Sequence, residues 1–185
     1  SGTFTADGTF DASGTGIITF TGAGNLVLNN TVAANGLGAF TKSTSTVTYG
    51  SAGAQTVDNV AYHHLTKSGA GTATLENATT ASGNLTVSAG TLAVDAQTMT
   101  VTGSTTVTST VTISTGTVTA NGSFDASGTG VITFTGAGSL ALNNTVVPNG
   151  LGAFTANAST VTYGSTGAQT IDNVTYNHLT KSGAG

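Results

Sequence analysis

Apolar and polar residues alternate in short triplets along most of the chain. Between residues 72 and 114, the triplets LTV, LAV and MTV begin at Leu85, Leu92 and Met99, seven residues apart. Each triplet places two apolar side chains on one face of an extended strand and Thr or Ala on the other. Turn residues such as SAG at 88–90 separate the triplets. The pattern predicts strands of three or four residues joined by equally short corners.

Strands this closely spaced are typical of a β-solenoid, in which each corner turns the chain onto the next face. Three faces of about seven residues would give a turn of roughly 20 residues. Composition also favours an all-β chain, because Thr is the commonest residue and Thr and Val prefer strands. In residues 131–163 the triplets are spaced more widely. Tandem β-sandwich domains of about 114 residues are therefore kept as the alternative.

The chain contains an internal repeat. Residues 1–71 align without a gap with residues 115–185, and 16 of the 71 positions differ. Apolar positions stay apolar, as in Ile17 and Val131. We therefore divide the chain into residues 1–114, one full repeat period in which 72–114 supply intervening short-strand turns, and residues 115–185, a partial second copy. We expect the array to be truncated in mid-repeat.

Low charge excludes several classes of function. Charged residues are 5% of the chain, against about 25% in a typical soluble domain, and the net charge is −4. Three Lys and no Arg cannot form the cationic surface that nucleic-acid binding needs. No apolar run approaches the roughly 20 residues of a membrane-spanning helix, so we expect no membrane insertion. The chain has no Cys and therefore no disulfide or thiolate site, and no cofactor is predicted.

Several stretches resemble known bacterial repeats. GAQTVDNVAYHHLTKSGAGTATL, SGNLTVSAGTLAVDAQTMTVTG and GTGIITFTGAG are similar to the β-strand repeats of very large bacterial surface proteins, the filamentous-haemagglutinin-like adhesins and their β-helical relatives. The resemblance implies a secreted or cell-surface β-helical scaffold that works in adhesion or as an extracellular fibre. It supplies no catalytic residues.

Residues 49–71 collect ionisable groups in a chain that has few. Consecutive side chains on a strand point to opposite faces, so His63 and His64 are not expected to share a metal ion unless the strand bends. Asn177 replaces His63 in the second copy. We expect His64 to pack or hydrogen-bond beside Tyr62, and His63 to be exposed. Lys67 is expected to be a solvated turn lysine.

Oxygen-bearing residues in the same stretch are weak metal candidates. Asp58 and Asn59, with Asp172 and Asn173 in the second copy, could bind calcium through oxygen atoms. This neighbourhood offers too few carboxylates for such an ion. We therefore predict turn capping and no metal site.

Glycoside hydrolysis is the enzyme activity that most needs exclusion in a β-helical chain. It requires two carboxylates about 5–10 Å apart. Asp7 and Asp11 are the closest acids in the sequence, but Asn121 stands opposite Asp7 in the second copy. We predict no catalytic residue and no enzyme.

These observations favour a structural or adhesive extracellular repeat scaffold. We expect it to form or extend a cell-surface fibre by end-to-end β-stacking or strand exchange. Its partners would be further copies of itself along the fibre axis, together with surface glycans or receptors. A passive stalk of a long single-chain adhesin is the alternative. Ice binding through Thr-x-Thr faces is a less favoured one.

Overall fold

The protein is a β-solenoid. The computed structural model describes residues 1–184, which contain 22 short strands and no helix. All strand pairs are parallel and stack into about nine turns. The β-solenoid prediction is confirmed. The alternative of tandem sandwiches is wrong, because a sandwich is built from antiparallel strands.

Three sheets form the three faces of the solenoid. Face 1 contains β1 (Thr3–Ala6), β3 (Asn25–Leu28), β5 (Thr46–Tyr49), β8 (His64–Lys67), β11 (Leu85–Val87), β14 (Thr105–Val107) and β17 (Phe124–Asp125). Face 2 contains β6 (Gln55–Val57), β9 (Thr72–Leu75), β12 (Thr91–Asp95), β15 (Thr110–Ile113), β18 (Val131–Phe134) and β20 (Ala153–Thr155). Face 3 contains β7 (Ala61–Tyr62), β10 (Thr79–Ala81), β13 (Thr98–Val101), β16 (Thr117–Ala120), β19 (Ser139–Leu142), β21 (Thr160–Tyr163) and β22 (His178–Lys181).

A small fourth sheet continues face 3 into the first turns. It pairs β2 (Ile17–Thr19) with β4 (Ala39–Thr41). Phe40 in β4 contacts Tyr62 in β7, with ring centroids 6.2 Å apart. The Lys42 amine also donates a hydrogen bond to the Tyr62 carbonyl at 3.2 Å. The order face 1, face 2, face 3 therefore holds along the whole stack.

Inward-pointing apolar side chains form continuous ladders through the core. On face 2, pairing in register places five residues one above another in successive turns: Ala73, Leu92, Val111, Ile132 and Phe154. The first four are buried, and Phe154 packs against them. Burying apolar area in this way is the main favourable term in folding.

The length of a turn varies although the strands keep their register. Thr3 pairs with Asn25, so that turn takes 22 residues, whereas Thr46 pairs with His64 after 18. The extra residues lie in corners, as in the loop before β4. There Asn35 and Gly38 adopt φ values of 53° and 58°. A side chain at Gly38 would meet carbonyl oxygens of the preceding turn, so this corner needs glycine.

The two sequence copies occupy different faces. Strands β1, β3, β5 and β8 of the first copy lie on face 1, whereas their equivalents β16, β19, β21 and β22 lie on face 3. Five full turns separate β1 from β14, which lies on the same face. The next two strands are β15 on face 2 and β16 on face 3, and β16 is the equivalent of β1. One 114-residue period is therefore five and two-thirds turns, about 27 Å at roughly 4.8 Å per turn. Successive copies are rotated by one face about the axis.

The interior ladder predicts where substitution is costly. Leu92→Ala should lower the free energy of unfolding by about 2–4 kcal/mol, because the side chain is 1% exposed and stacked on both sides. Ile17→Ala is the matched control, since Ile17 is 74% exposed, and should change the free energy by less than about 0.5 kcal/mol. Urea unfolding followed by circular dichroism measures both. Equal losses of unfolding free energy in the two variants would contradict the stabilising role of the interior ladder.

Candidate functional site

A buried group of polar side chains lies in the first copy where ionisable residues are concentrated. The Tyr49 and Tyr62 hydroxyls are 2.8 Å apart. Tyr62 donates its hydroxyl hydrogen to the Asp58 carbonyl at 2.9 Å, and the Asp58 N–H donates to the Tyr49 hydroxyl at 3.1 Å. Both tyrosines are fully buried, and burial raises their pKa values. They are neutral at pH 7 and tie the corner at Asp58 into the core.

Two further side chains fasten the loop that precedes β4. The Asp58 carboxylate accepts the Leu37 N–H through Oδ2 at 2.5 Å. The Gln55 amide donates to the carbonyls of Leu28 and Asn30 at 2.9 and 2.6 Å. These bonds replace ladder bonds in a region where the chain leaves the regular strands. We call Tyr49, Gln55, Asp58 and Tyr62 the polar clamp.

The polar clamp recurs in the second copy on a different face. The Tyr163 and Tyr176 hydroxyls lie 2.9 Å apart, and Tyr176 donates to the Asp172 carbonyl at 2.9 Å. Asp172 Oδ2 accepts the Leu151 N–H at 2.7 Å. The Gln169 amide donates to backbone carbonyls as Gln55 does. Because every member has the same backbone partners in both copies, the arrangement holds loops in place.

One pair of carboxylates in the first copy lacks full hydrogen bonding. Asp58 Oδ1 and Glu76 Oε2 are buried without a partner among the described residues. Glu76 lies one turn beyond Asp58, because its N–H donates to the Val57 carbonyl at 3.1 Å. Burial raises the pKa of Asp58 to about 6, and the nearby Glu76 charge acts in the same direction against the Leu37 hydrogen bond.

The histidines lie where face 3 turns into face 1. The chain bends at His63, between β7 and β8, so both rings lie together with centroids 4.3 Å apart. The prediction that they point to opposite faces is wrong for this reason. His63 is half-buried rather than exposed, and its Nδ1 is 3.2 Å from the Ser82 hydroxyl.

The hydrogen bonding of His64 argues against a metal ligand. Its Nδ1 accepts the Asn84 N–H at 2.9 Å, so the neutral ring carries its proton on Nε2. Neither nitrogen then has a lone pair for a metal ion. Burial is the main cause that lowers the pKa of His64, and the neighbouring His63 lowers it further. The ring therefore stays neutral.

Lys67 differs from its sequence prediction. Its side chain is 1% exposed and lies in the core between Tyr49 and Val87 of adjacent turns. The amine donates to the Gly69 carbonyl, and burial lowers its pKa. The expectation of a solvated turn lysine is wrong, because the alternation of β8 points this position inward. Lys181, its equivalent in the second copy, is exposed.

The remaining candidate residues are dispersed. Asn59 and Asn173 are exposed, whereas the aspartates beside them are buried in the clamps. Asp7 accepts a hydrogen bond from Asn29, and Asp11 accepts the Ser13 N–H. Within residues 1–184, no three His, Cys, Asp or Glu side chains come together as a metal-ligand set.

A cavity in the core of the described residues is too small for a substrate. A gap of about 10 Å³ lies between apolar side chains of the middle turns, including Leu92, Val111 and Phe124. A single water molecule needs about 10–15 Å³, so this gap is at the lower limit for one water. The described chain also has no helix that could cross a membrane.

Comparison with protein families gives one match. Residues 65–94, from β8 into β12, match the model of the passenger-associated transport repeat. Neither curated proteins nor solved structures gave a significant match.

The match and the solenoid together confirm the resemblance to β-strand-repeat segments of the adhesin type. Passenger-associated transport repeats occur in the β-helical passenger domains of autotransporters, which are secreted or surface-exposed. They belong to structural scaffolds and not to an enzyme family. The stretch that is richest in ionisable residues, 49–71, overlaps this match at residues 65–71.

The buried carboxyl group of Asp58 predicts an unusual pH dependence of stability. The pKa of Asp58 rises from its ordinary value of 3.8 to about 6, so the folded chain binds this proton more tightly than the unfolded chain. The resulting stabilisation is complete below about pH 4 and is lost as the pH rises to about 6. Asp58→Asn keeps an oxygen for Leu37 and removes the charge. It should raise the free energy of unfolding at pH 7.5 by about 1–3 kcal/mol.

Asp172→Asn is the matched control for that variant. Asp172 makes the same bond to a leucine N–H, but the described chain holds no counterpart of Glu76 above it. Urea unfolding at several pH values between 4 and 7.5 should show a flatter profile in Asp58→Asn only. An unchanged profile in that variant would contradict the raised pKa that burial gives to Asp58.

Proposed function

We propose that this chain is a structural rod of an extracellular bacterial fibre, which lengthens by end-to-end stacking of turns or by strand exchange. The observation that carries the proposal is the unbroken parallel stack. Face 3 runs through β13, β16 and β19 without a gap, although the second sequence copy begins there. A new copy therefore adds to the stack with no change in pairing.

In a stack of this kind, any open turn presents unpaired backbone groups beside apolar side chains, which is a template for another strand. Low charge on the faces limits electrostatic repulsion between copies.

Adhesion belongs to the same proposal. The outward side chains of the three faces are mainly threonines, which offer hydroxyl groups in parallel rows. Surface glycans or receptors are the partners that such rows would contact. A rod of this kind would also serve as a stalk if the contacts were made elsewhere.

Fibre growth can be tested with two variants that each block one end. Phe4→Asp should prevent pairing through the first turn and Leu179→Asp through the last, because these residues pair in register with the buried residues Leu26 and Val161. Each variant alone should remain monomeric, whereas their mixture should stop at dimers, because only one functional joint remains. The wild-type chain should form rods whose length grows with concentration. Sedimentation velocity and negative-stain electron microscopy measure these outcomes.

The control and the contrary result are equally direct. Thr133→Asp changes an outward position on face 2 and should leave growth intact. A monodisperse monomer at all concentrations would contradict the fibre and favour the stalk.

One observation favours a second candidate, the ordering of water at an ice surface. On face 2, one outward row contains threonines in five of six turns, with Ala93 in the remaining one: Thr56, Thr74, Thr112, Thr133 and Thr155. Face 3 has a similar row: Thr80, Thr100, Thr119, Thr162 and Thr180, with Ala141 between the third and fourth. Neither row contains a charged residue.

Thermal hysteresis would test this candidate. The wild-type chain should lower the freezing point below the melting point, and the double variant Thr112→Lys, Thr133→Lys should weaken the effect. Absence of hysteresis in concentrated wild-type protein would exclude ice binding while leaving the rod intact.

A further inference from the structure

Two acidic residues from adjacent turns follow the ends of neighbouring strands on face 2. Val57 in β6 pairs in register with Leu75 in β9, and Asp58 and Glu76 are the next residues of the two turns. The Glu76 N–H donates to the Val57 carbonyl at 3.1 Å, so the backbone pairing continues to this point. Adjacent strands lie about 4.8 Å apart, which is close enough for both side chains to reach one ion.

Each of these carboxylates has a buried oxygen atom without a hydrogen-bond partner among the described residues. The two atoms are Asp58 Oδ1 and Glu76 Oε2. Asp58 is 0% exposed, and its other oxygen accepts the Leu37 N–H. Glu76 is half-buried, so water can reach the pair from its side. The charge on Glu76 helps to raise the pKa of Asp58, as expected of neighbouring carboxylates.

The tyrosines of the polar clamp have no hydrogen left to donate to these oxygens. Tyr62 donates its hydroxyl hydrogen to the Asp58 carbonyl. The Tyr49 hydroxyl accepts the Asp58 N–H and, because the hydrogen of Tyr62 is already used, donates its own hydrogen to Tyr62. Both hydroxyls are therefore committed, and neither satisfies the carboxylate pair.

No cationic side chain of the described residues neutralises the pair. The three lysine amines donate to backbone carbonyls, those of Tyr62, Gly69 and Gly183. His63 and His64 lie at a different corner, between face 3 and face 1. A buried charge is costly unless it is paired or coordinates a metal ion. The pair therefore calls for a positive partner from solution.

We infer that Asp58 and Glu76 bind a calcium ion, with Asp58 Oδ1 and Glu76 Oε2 as its protein ligands. Calcium takes oxygen ligands at about 2.3–2.6 Å and accepts irregular geometry, whereas magnesium demands a near-ideal octahedron and gives up its water reluctantly. Water on the Glu76 side completes the coordination. Because only two carboxylates take part, we expect weak binding, with a Kd of about 10⁻⁴–10⁻³ M, as in extracellular modules.

This site differs from the one that the sequence brought into question. The prediction of no metal site considered Asp58 together with Asn59, its neighbour in the chain. The structure leaves Asn59 exposed and brings Glu76 from the next turn instead. A bound ion links two successive turns of the solenoid beside the polar clamp. The inference goes beyond the proposed rod, since it holds whether or not copies of the chain assemble.

Terbium luminescence tests the site directly, because Tb³⁺ replaces calcium at oxygen sites and is excited by a nearby tyrosine. Tyr49 is hydrogen-bonded to Asp58, and the chain has no Trp, so tyrosine excitation should give saturable terbium emission that calcium reverses. Asp58→Asn and Glu76→Gln should each weaken terbium binding at least tenfold. Asp11→Asn is the control, since this exposed carboxylate accepts only the Ser13 N–H, and it should change binding less than twofold.

Urea unfolding at pH 7.5 provides a second measurement. With a Kd of about 1 mM, calcium chloride at 10 mM should lower the unfolding equilibrium constant of the wild-type chain about tenfold relative to EDTA. Sodium chloride of equal ionic strength should not. Asp58→Asn is expected to be more stable than the wild type in EDTA, so a loss of its calcium response cannot be ascribed to misfolding.

Two results would overturn the inference. One is terbium binding of equal strength in the wild-type chain and in Asp58→Asn. The other is wild-type stability that rises at pH 4.5 in EDTA but does not respond to calcium at pH 7.5, since a proton and not calcium would then neutralise the pair. Rod formation bears on neither result, so failure of the proposed fibre leaves this test intact.

Discussion

The structure depends on parallel strand stacking with a fixed inward alternation. Each strand contributes only three or four residues, so no strand could hold its place alone. Stability comes from ladders in which a residue rests on its counterpart about 20 positions earlier, as Leu92 rests on Ala73. The corners absorb differences in turn length, which range from 18 to 22 residues. Register is therefore conserved while loop length varies, and substitutions between the copies keep inward positions apolar.

The polar clamps lie where regular strand pairing is interrupted. Near Leu37 the chain leaves the ladder, and backbone groups there need partners other than a neighbouring strand. Gln55 and Asp58 supply them, and the tyrosine hydroxyls hold the Asp58 corner in turn. A concentration of ionisable residues in a charge-poor chain suggests a catalytic or binding site. Here, however, the side chains of the clamp form hydrogen bonds with backbone groups. The Oδ1 atom of Asp58 has no hydrogen-bond partner among the described residues, so the clamp leaves one buried polar atom unsatisfied.

The sequence allowed the fold class to be predicted, because triplets such as LTV at Leu85 repeat at a spacing that suits a solenoid and no sandwich. It did not allow the corners to be located. Whether His63 and His64 point apart or together depends on where one face ends, and that position is determined by pairing with a turn 20 residues away. Lys67 was mistaken for a turn residue for the same reason. Tyr62 lies four residues from Asp58, but its other partners, Tyr49 and Leu37, lie 9 and 21 residues away, beyond any local pattern.

The two copies lie on different faces, so neither face requires a sequence of its own. The same sequence folds as β1 and β3 on face 1 and as β16 and β19 on face 3. In the second copy, β16 pairs with β13, a strand outside the repeat, as well as with β19 of its own copy. What a strand requires of its neighbour is therefore only parallel direction, apolar inward positions and the right register.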